Sequence, residues 1–251
     1  MNIKLIATDL DDTLLRRDKT ISDYTKSVFE RCRELGVLTA FATARSRENT
    51  LELQEQLRPN GNIVTGGCLI YVGGELLRSY YMPEAPASAL LAELVSIPNV
   101  KRVSARTIDA SFSNQPYEHR TLVDFFTPVG VPLLHCSYHS DDDELMRTLA
   151  AKYPELDFKH VSNTDLYDVN PNGATKFNGV RTLAEHFGVA ISEVAAFGDD
   201  YNDIEMLKNC GIGVAVENAI DDCKAVADYT ALDCDADGVA HWIEEYILNG
   251  N

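Results

Sequence analysis

The 251-residue sequence is poor in positive charge and has no long apolar run. It contains 22 Lys and Arg residues against 39 Asp and Glu residues, which gives a formal net charge of −17. Nucleic acids and anionic membrane surfaces attract basic patches, so this balance argues against both as partners. No segment approaches the roughly 20 apolar residues of a membrane span, and none before Asp9 resembles a signal peptide. We therefore expect a cytoplasmic protein.

Cysteine spacing also excludes several kinds of site. The sequence has six cysteines but no CxxC pair or other spacing typical of metal ligands, so we expect no structural zinc. Several cysteines lie in apolar segments, where a free Cys behaves as a small hydrophobic residue. We therefore predict reduced cysteines in the core or at its boundary. They are Cys32, Cys68, Cys136, Cys210, Cys223 and Cys234.

Apolar strand-like segments alternate with helix-like segments at both ends of the chain. Residues 3–8, 37–43 and 63–65 are predicted strands of the first third, and residues 194–197 and 213–216 belong to the last third. Strands separated by helices indicate βαβ units with a parallel sheet. We therefore predict an α/β fold whose core is a Rossmann-like, doubly wound parallel sheet.

The alternation of strands and helices breaks in the middle of the chain. The strand–helix alternation of the first third does not continue through the helix-like segments at 85–97 and 141–153 and short strands such as 131–138 and 166–169. We expect an inserted α+β domain at residues 83–171. Residues 1–82 and 172–251 would then form the core that carries the chemistry.

Two apolar strands end in clusters of acidic residues. Asp9 and Asp11 follow the first strand, and Asp199, Asp200 and Asp203 follow a late one. In a parallel sheet the carboxyl ends of the strands share one edge, which is where open α/β sheets bind ligands. Like charges packed together are unfavourable unless a cation lies among them, and Mg2+ prefers carboxylate oxygens with a substrate phosphate. The pattern predicts a magnesium site at this edge.

Groups that can bind phosphate occur at a further strand end and at a helix start, where they can reach the same sheet edge. Thr43, followed by Ala44 and Arg45, ends a second strand and offers a hydroxyl and backbone N–H groups. Lys176 begins the helix after the insertion, where it can reach the same edge as a point charge. Taken singly, a Thr at a strand end or a Lys at a helix start is usually structural.

In order and spacing, these residues together resemble the haloacid dehalogenase (HAD) superfamily of phosphohydrolases. Residues 9–13 (DLDDT) match its DxDxT motif, and Thr43 matches the second motif. Lys176 matches the third motif, and residues 198–203 (GDDYND) match the fourth, GDxxND. The insertion looks like the type II cap of the Cof-like, type IIB sugar-phosphatase branch.

The resemblance implies a Mg2+-dependent phosphatase that acts on small phosphomonoesters, mainly sugar phosphates, through an aspartyl-phosphate. Asp9 would attack phosphorus, and Asp11 would protonate the leaving oxygen and then activate water. Neighbouring carboxylates would raise the pKa of Asp11, which would touch the metal only through its backbone carbonyl. The implied phosphate- and substrate-binding residues are Thr43, Arg45, Lys176 and Asn202, and the implied metal-site residues are Asp9, Asp11, Asp199 and Asp203.

The sequence departs from the family pattern at two positions, of which the second bears on substrate choice. Ala44 replaces the usual Gly of a TGR sequence, and Gly66 stands where the branch usually has Asn. We expect substrate selection to lie in the insertion, where period-2 alternation places Asp168 and Asn170 on one polar face.

The sequence is compatible with other functions as well. A phosphotransferase or phosphomutase would use the same residues, and a sugar-phosphate sensor could keep the fold without catalysis. A response-regulator receiver shares the strand-end Asp, Thr and Lys, but it has neither an acid two residues after the first Asp, as Asp11 is here, nor an insertion.

His135 and His139 have no acidic or Cys partner at ligand spacing, so we expect core or surface roles. The sequence leaves the oligomeric state open, between a monomer and a weak dimer.

Overall fold

The computed structural model describes residues 2–117 and 120–249. The chain separates into two compact units, one formed by Met1–Ser79 with Thr175–Asn251 and the other by Tyr80–Ala174. We call them the core unit and the inserted unit. None of the helices within the described ranges is long and apolar enough to cross a membrane.

The core unit is built on an eight-stranded sheet. Its order is β14-β13-β12-β1-β2-β3-β4-β5; the six strands from β14 to β3 run parallel, and β4 and β5 form an antiparallel hairpin at one edge. The predicted α/β fold with a parallel sheet is confirmed. The strands of this sheet are β1 (Leu5–Thr8), β2 (Leu38–Ala42), β3 (Gly61–Val64), β4 (Leu69–Val72), β5 (Glu75–Ser79), β12 (Val194–Gly198), β13 (Ile212–Val216) and β14 (Tyr229–Ala231).

Side-chain caps mark the start of two helices of the core unit. Ser22 caps the helix at Asp23–Glu34 by accepting the N–H of Thr25. Thr175 caps the helix at Lys176–Phe187 by accepting the N–H of Asn178. The helix at Leu51–Leu57 has no side-chain cap and is preceded by a 3-10 turn at Glu48–Thr50. The helices are α1 (Asp23–Glu34), α2 (Leu51–Leu57), α5 (Lys176–Phe187), α6 (Ile204–Asn209), α7 (Asp221–Val226) and α8 (Gly238–Ile243).

The central strands are buried along their whole length. Leu5, Ile6 and Ala7 of β1 have no exposed surface, and all five residues of β12 are buried. A strand that is apolar on both faces is typical of a parallel sheet covered by helices on both sides. Such strands form a rigid frame, so the residues that follow their carboxyl ends are held in fixed positions. All six cysteines are buried and free, as predicted.

The inserted unit contains a six-stranded sheet in the order β10-β11-β9-β6-β7-β8 and two helices. One face of the sheet packs against both helices, and Val103, Tyr138 and Val169 lie in the resulting core with Leu91 and Leu149. The sequence did not predict β6 to β8, because they are short and rich in polar residues. The elements are α3 (Glu84–Leu94), β6 (Arg102–Arg106), β7 (Ser111–Ser113), β8 (Thr121–Leu122), β9 (His135–His139), α4 (Asp143–Lys152), β10 (Leu156–His160) and β11 (Leu166–Pro171).

Candidate active site

The carboxyl ends of β1 and β12 bring Asp9 and Asp199 to the same edge of the core sheet. The two strands are parallel neighbours, with Thr8 opposite Phe197, and the Asp9 N–H donates to the Phe197 carbonyl at 2.9 Å. The acidic residues that are 190 positions apart in the sequence therefore follow adjacent strand ends. Asp9 is buried, and its side chain faces the first residue of α5.

Lys176 joins two of the carboxylates. Its Nζ lies 2.7 Å from Asp9 Oδ1 and 2.7 Å from Asp203 Oδ1, and the side chain is 2% exposed. Burial alone would lower the pKa of Lys176, but the charges of Asp203 and Asp9 raise it above the ordinary value. The lysine is therefore a fixed positive charge within the acidic group.

Asp203 organises the backbone of the late acidic turn. Its Oδ2 accepts the N–H groups of Asp199 at 3.1 Å and Asp200 at 3.2 Å. A Cβ at Gly198 would lie 2.4 Å from Cβ of Asp203, so only glycine allows this close approach. Asp203 thus supports both the position of Lys176 and the turn that presents Asp199.

Thr13 is a site residue to which the sequence assigned no role of its own. Its hydroxyl donates to Asp199 Oδ1 at 2.6 Å, across 186 residues of sequence. The only signal was its place as the last residue of the DxDxT motif. Because Thr13 is buried, this hydrogen bond fixes the orientation of the Asp199 carboxylate.

The donor set fits a hard divalent cation. Carboxylate oxygens of Asp9, Asp199 and Asp203 all lie within 4.8 Å of one another. Burial raises the pKa of Asp9 to about 7, partly offset by Lys176 and reinforced by Asp203. Burial, Asp9 and Asp203 raise the pKa of Asp199 to about 8. One lysine does not balance three carboxylates, and a bound Mg2+ would supply the missing positive charge.

Asp11 lies outside this carboxylate group and pairs instead with two positively charged side chains. Its two oxygens accept hydrogen bonds from Nε and Nη2 of Arg45, both at 2.7 Å, and Lys19 Nζ lies 3.2 Å from Oδ1. Partial burial would raise the pKa of Asp11, but Arg45 and Lys19 together lower it below the usual pKa of an aspartate. The expectation that neighbouring carboxylates raise this pKa is therefore wrong, because the side chain turns towards two cations.

Backbone hydrogen bonds position the loop that carries Thr43. Thr43 is 1% exposed, and its Oγ1 accepts the N–H of Arg45 at 3.1 Å. The N–H groups of Thr65 and Gly66 donate to the carbonyls of Arg45 and Thr43 at 2.8 and 3.0 Å. Thr65, Gly66 and Gly67 have φ angles of +52°, +64° and +109°. The segment after β3, whose backbone is in the left-handed region, is thus hydrogen-bonded to the loop after β2.

Asn202 lies in the turn that carries Asp203. Its Oδ1 is buried and accepts no hydrogen bond from the residues that the structure describes. Its implied contact with phosphate stays a prediction, and so do the roles of Thr43 and Arg45.

Comparison with known proteins identifies the family. A family model for haloacid dehalogenase-like hydrolases matches residues 6–243. The chain is 27% identical to the 5-amino-6-(5-phospho-D-ribitylamino)uracil phosphatase YitU of Bacillus subtilis, covering 96% of this chain and 97% of that protein. It is 28% identical to an HMP-PP phosphatase of Klebsiella pneumoniae, covering 98% and 96%.

A solved structure of a HAD subclass IIB sugar phosphatase has the same fold. It superposes with a TM-score of 0.88 at 25% identity, covering 97% of this chain and 98% of that one. The resemblance drawn from the four motifs is confirmed, and so is the assignment as a phosphatase. With a family model that spans nearly its whole length, the chain belongs to the haloacid dehalogenase-like hydrolases.

Proposed function

We propose that this enzyme is a Mg2+-dependent phosphatase that hydrolyses small phosphomonoesters, sugar phosphates above all, through an aspartyl-phosphate at Asp9. The observation that carries the proposal is the group formed by buried Asp9 and Asp203 with partly buried Asp199, in which Lys176 pairs with Asp9 and Asp203. It combines a nucleophile, a cation site and a fixed positive charge at one sheet edge.

Asp9 and Asp199 would hold the metal through their carboxylates, with the backbone carbonyl of Asp11 as the ligand that the family resemblance implies. Bound Mg2+ would neutralise charge on the phosphoryl oxygens, so that an anionic nucleophile can approach. Thr13 orients Asp199 for this purpose, and Asp203 holds Lys176 and the late acidic turn.

In the first half-reaction, an oxygen of Asp9 forms a bond to phosphorus while the bond to the leaving oxygen breaks. Asp11 gives its proton to that oxygen, so the alcohol leaves neutral. In the second half-reaction Asp11 takes a proton from water, whose oxygen attacks phosphorus and releases inorganic phosphate and the Asp9 carboxylate. Lys176 stabilises the charge of the Asp9 carboxylate before it attacks phosphorus and after it is released.

The ion pair between Arg45 and Asp11 sets a condition on this cycle. Asp11 can carry a proton at neutral pH only if the influence of Arg45 on it weakens. A substrate phosphate is a dianion that competes for the Arg45 guanidinium. We propose that substrate binding draws Arg45 from Asp11 to the phosphate and thereby allows Asp11 to act as the acid.

Substrate class is proposed from the relatives and the insertion. Relatives of this chain include phosphatases whose names give a phosphoribitylamino-uracil and HMP-PP as substrates, and a sugar phosphatase shares its fold. The residues of the core site recognise groups common to all phosphomonoesters. We therefore assign the choice of leaving group to the inserted segment, residues 83–171, and catalysis to residues 1–82 and 172–251.

A phosphate-release assay with p-nitrophenyl phosphate tests this function. Wild-type enzyme should release phosphate with Mg2+ and lose activity with EDTA, and Asp9→Asn should be inactive under both conditions. The variant Asp12→Asn changes the same charge in the same loop at a half-exposed side chain, and it serves as the control. Absence of turnover across a panel of phosphomonoesters would favour a sugar-phosphate sensor instead. Transfer of phosphate to an added sugar, without release to water, would favour a phosphotransferase.

A further inference from the structure

The segment that follows β13 lies beside both acidic turns of the candidate site. β13 is the parallel neighbour of β12 in the core sheet, so its carboxyl end is at the same sheet edge. The Ala219 N–H donates to the Val216 carbonyl at 2.9 Å and closes a turn directly after the strand. We call residues 217–220 the β13 turn. The mechanism proposed above gives this turn no role.

Asn218 joins the β13 turn to the turn after β1, which carries Asp11. Its Nδ2 donates to the Asp12 carbonyl at 2.6 Å, across 206 residues of sequence. Its Oδ1 accepts the N–H of Cys234 at 2.9 Å. A carbonyl only accepts and an N–H only donates, so the two main-chain groups fix which end of the amide faces which loop. The side chain therefore needs both a donor and an acceptor, as asparagine has.

The Asp12 carbonyl belongs to an unfavourable part of the turn after β1. The φ angle of Asp12 is +58°, in the left-handed region, which residues other than glycine adopt at a cost. Such a conformation persists only where the surrounding structure holds it. The Leu15 N–H closes the turn by donating to the Leu10 carbonyl at 2.8 Å. Asn218 holds the middle of the turn, at the peptide group that joins Asp12 to Thr13.

The β13 turn also holds the other partner of Thr13. The Ile220 N–H donates to the Asp199 carbonyl at 2.9 Å. The Thr13 hydroxyl donates to the Asp199 carboxylate at 2.6 Å, and such a bond weakens steeply when its angle is lost. One short turn is thus hydrogen-bonded to the main chain on each side of this contact. The Asn218 bond is made by a side chain, so a substitution can remove it.

We propose that Asn218 is a positioning residue for the metal site: its amide fixes the Asp12 carbonyl and thereby keeps the Thr13 hydroxyl against Asp199. It acts through the main chain of the turn after β1 rather than by touching the substrate. The consequence for Mg2+ rests on the proposed function, whereas the support of the turn does not. The two parts are therefore tested separately.

Titration calorimetry with Mg2+ alone, on protein without substrate, tests the effect on the metal site. Groups that orient metal ligands change metal affinity about 10- to 100-fold, and we expect the Kd of Asn218→Ala to rise about tenfold because its action is indirect. The matched control is Asn60→Ala. Asn60 is also partly buried, and its Oδ1 accepts the Thr39 N–H at 3.0 Å near the start of β2, at the opposite edge of the sheet. Its Kd for Mg2+ should equal that of the wild type.

A double-mutant cycle tests whether Asn218 acts through Thr13. In the Thr13→Val background, where the bond to Asp199 is already lost, Asn218→Ala should change the Mg2+ Kd much less than in the wild type. A general loss of stability would give no such coupling, and urea unfolding of each variant measures that loss. Additive effects of the two substitutions, or an unchanged Kd in Asn218→Ala, would overturn the positioning role.

Amide hydrogen exchange tests the support of the turn itself. Asn218→Asp keeps an acceptor for the Cys234 N–H but offers no donor to the Asp12 carbonyl. Exchange of the Leu15 amide, whose hydrogen bond closes the turn, should become about tenfold faster in Asn218→Asp and in Asn218→Ala. It should stay as in the wild type in Asn60→Ala. Wild-type exchange in Asn218→Asp would show that the bond to Asp12 does not hold the turn.

Failure of this inference can be told from failure of the proposed function. If the wild type hydrolyses p-nitrophenyl phosphate with Mg2+ and Asn218→Ala binds Mg2+ equally well, only the role of Asn218 is wrong. If the wild type binds no Mg2+, the metal assignment falls together with the proposed function. Hydrogen exchange needs neither metal nor turnover, and it still decides whether Asn218 holds the turn after β1.

Discussion

Arg45 holds Asp11 with two hydrogen bonds of 2.7 Å at the edge of the core sheet. The pairing is bidentate, the geometry in which an arginine binds a carboxylate most tightly. It favours the ionised form of Asp11 and lowers its pKa, together with Lys19. The residue assigned as general acid is thus held, without substrate, in the state that cannot give a proton.

Replacing Arg45 should move the pH dependence of the reaction. In Arg45→Met the pKa of Asp11 should rise, because a cation that favours its ionised form is lost. The alkaline limb of kcat/KM, where the acid form of Asp11 disappears, should then move to higher pH while KM increases. Arg47→Met removes a neighbouring arginine that binds the Gly74 carbonyl instead, and its pH profile should match the wild type. An unchanged profile in Arg45→Met would contradict the coupling.

The nucleophile prediction concerns Asp9. Asp9→Asn should lower kcat at least about a thousandfold, since the attacking oxygen becomes part of a neutral amide. The fold should persist, because Lys176 keeps its bond to Asp203.

Asp11→Asn should instead slow both formation and hydrolysis of the phosphoenzyme, which rapid-quench kinetics with a labelled substrate can separate. Wild-type rates in Asp11→Asn would remove its role as acid and base.

Mg2+ affinity should rise with pH. The raised pKa values of Asp9, about 7, and Asp199, about 8, mean that protons and metal compete for the same oxygens. The stability of the metal-free protein should change in the opposite direction and fall as pH rises. Carboxyls whose pKa is raised on folding destabilise the native state as pH rises from about 4 to about 8. Thermal melts with and without Mg2+ should therefore differ most near pH 8 and least near pH 5. A stabilisation by Mg2+ that is independent of pH would refute the assignment of the ligands.

The hydroxyl of Thr13 should matter for the metal. Thr13→Val keeps the shape of the side chain but removes the hydrogen bond to Asp199. Groups that orient metal ligands typically change metal affinity about 10- to 100-fold, and we expect that range for the Mg2+ activation constant. Thr20→Val deletes an exposed hydroxyl that binds Asp18, and it should leave the constant unchanged. If both variants need the same Mg2+ concentration, Thr13 is only a packing residue.

The sequence predicted those parts of the fold that depend on local patterns. Buried strands such as β1 depend on neighbouring residues, and β1 was found within the predicted segment, residues 3–8. The convergence of Asp9 with Asp199 could be inferred as well, because parallel strands share an edge. The motif order then identified the family.

What the sequence missed depends on side-chain direction and on short polar strands. Asp11 lies two residues from Asp9, yet its side chain turns to Arg45, which no spacing rule indicates. Strands β6 to β8 of the inserted unit are stabilised by pairing across the sheet rather than by their own composition. The acidic partners of His135 and His139 are Asp168 and Asp165, which β11 and the residue before it bring to them at a sequence separation of 26 to 33 residues.

Gly67 allows the close approach of the loop after β3 to the residue that precedes Lys176. A Cβ at Gly67 would lie 2.5 Å from the Thr175 carbonyl oxygen, and its φ of +109° is also unfavourable for other residues. Gly36 has a φ of +75° but nothing within 4 Å of an added Cβ, so Gly36→Ala measures the backbone contribution alone. We expect Gly36→Ala to lower the free energy of unfolding by about 1 kcal/mol with normal activity.

Gly67→Ala should lower that free energy by at least about 1 kcal/mol more than Gly36→Ala, because a backbone atom must move. It should also reduce kcat, since Thr175 caps α5 and so sets the position of Lys176. Urea unfolding and steady-state kinetics measure the two effects. Equal losses of stability in the two variants, with full activity in both, would mean that the loop after β3 does not support the lysine.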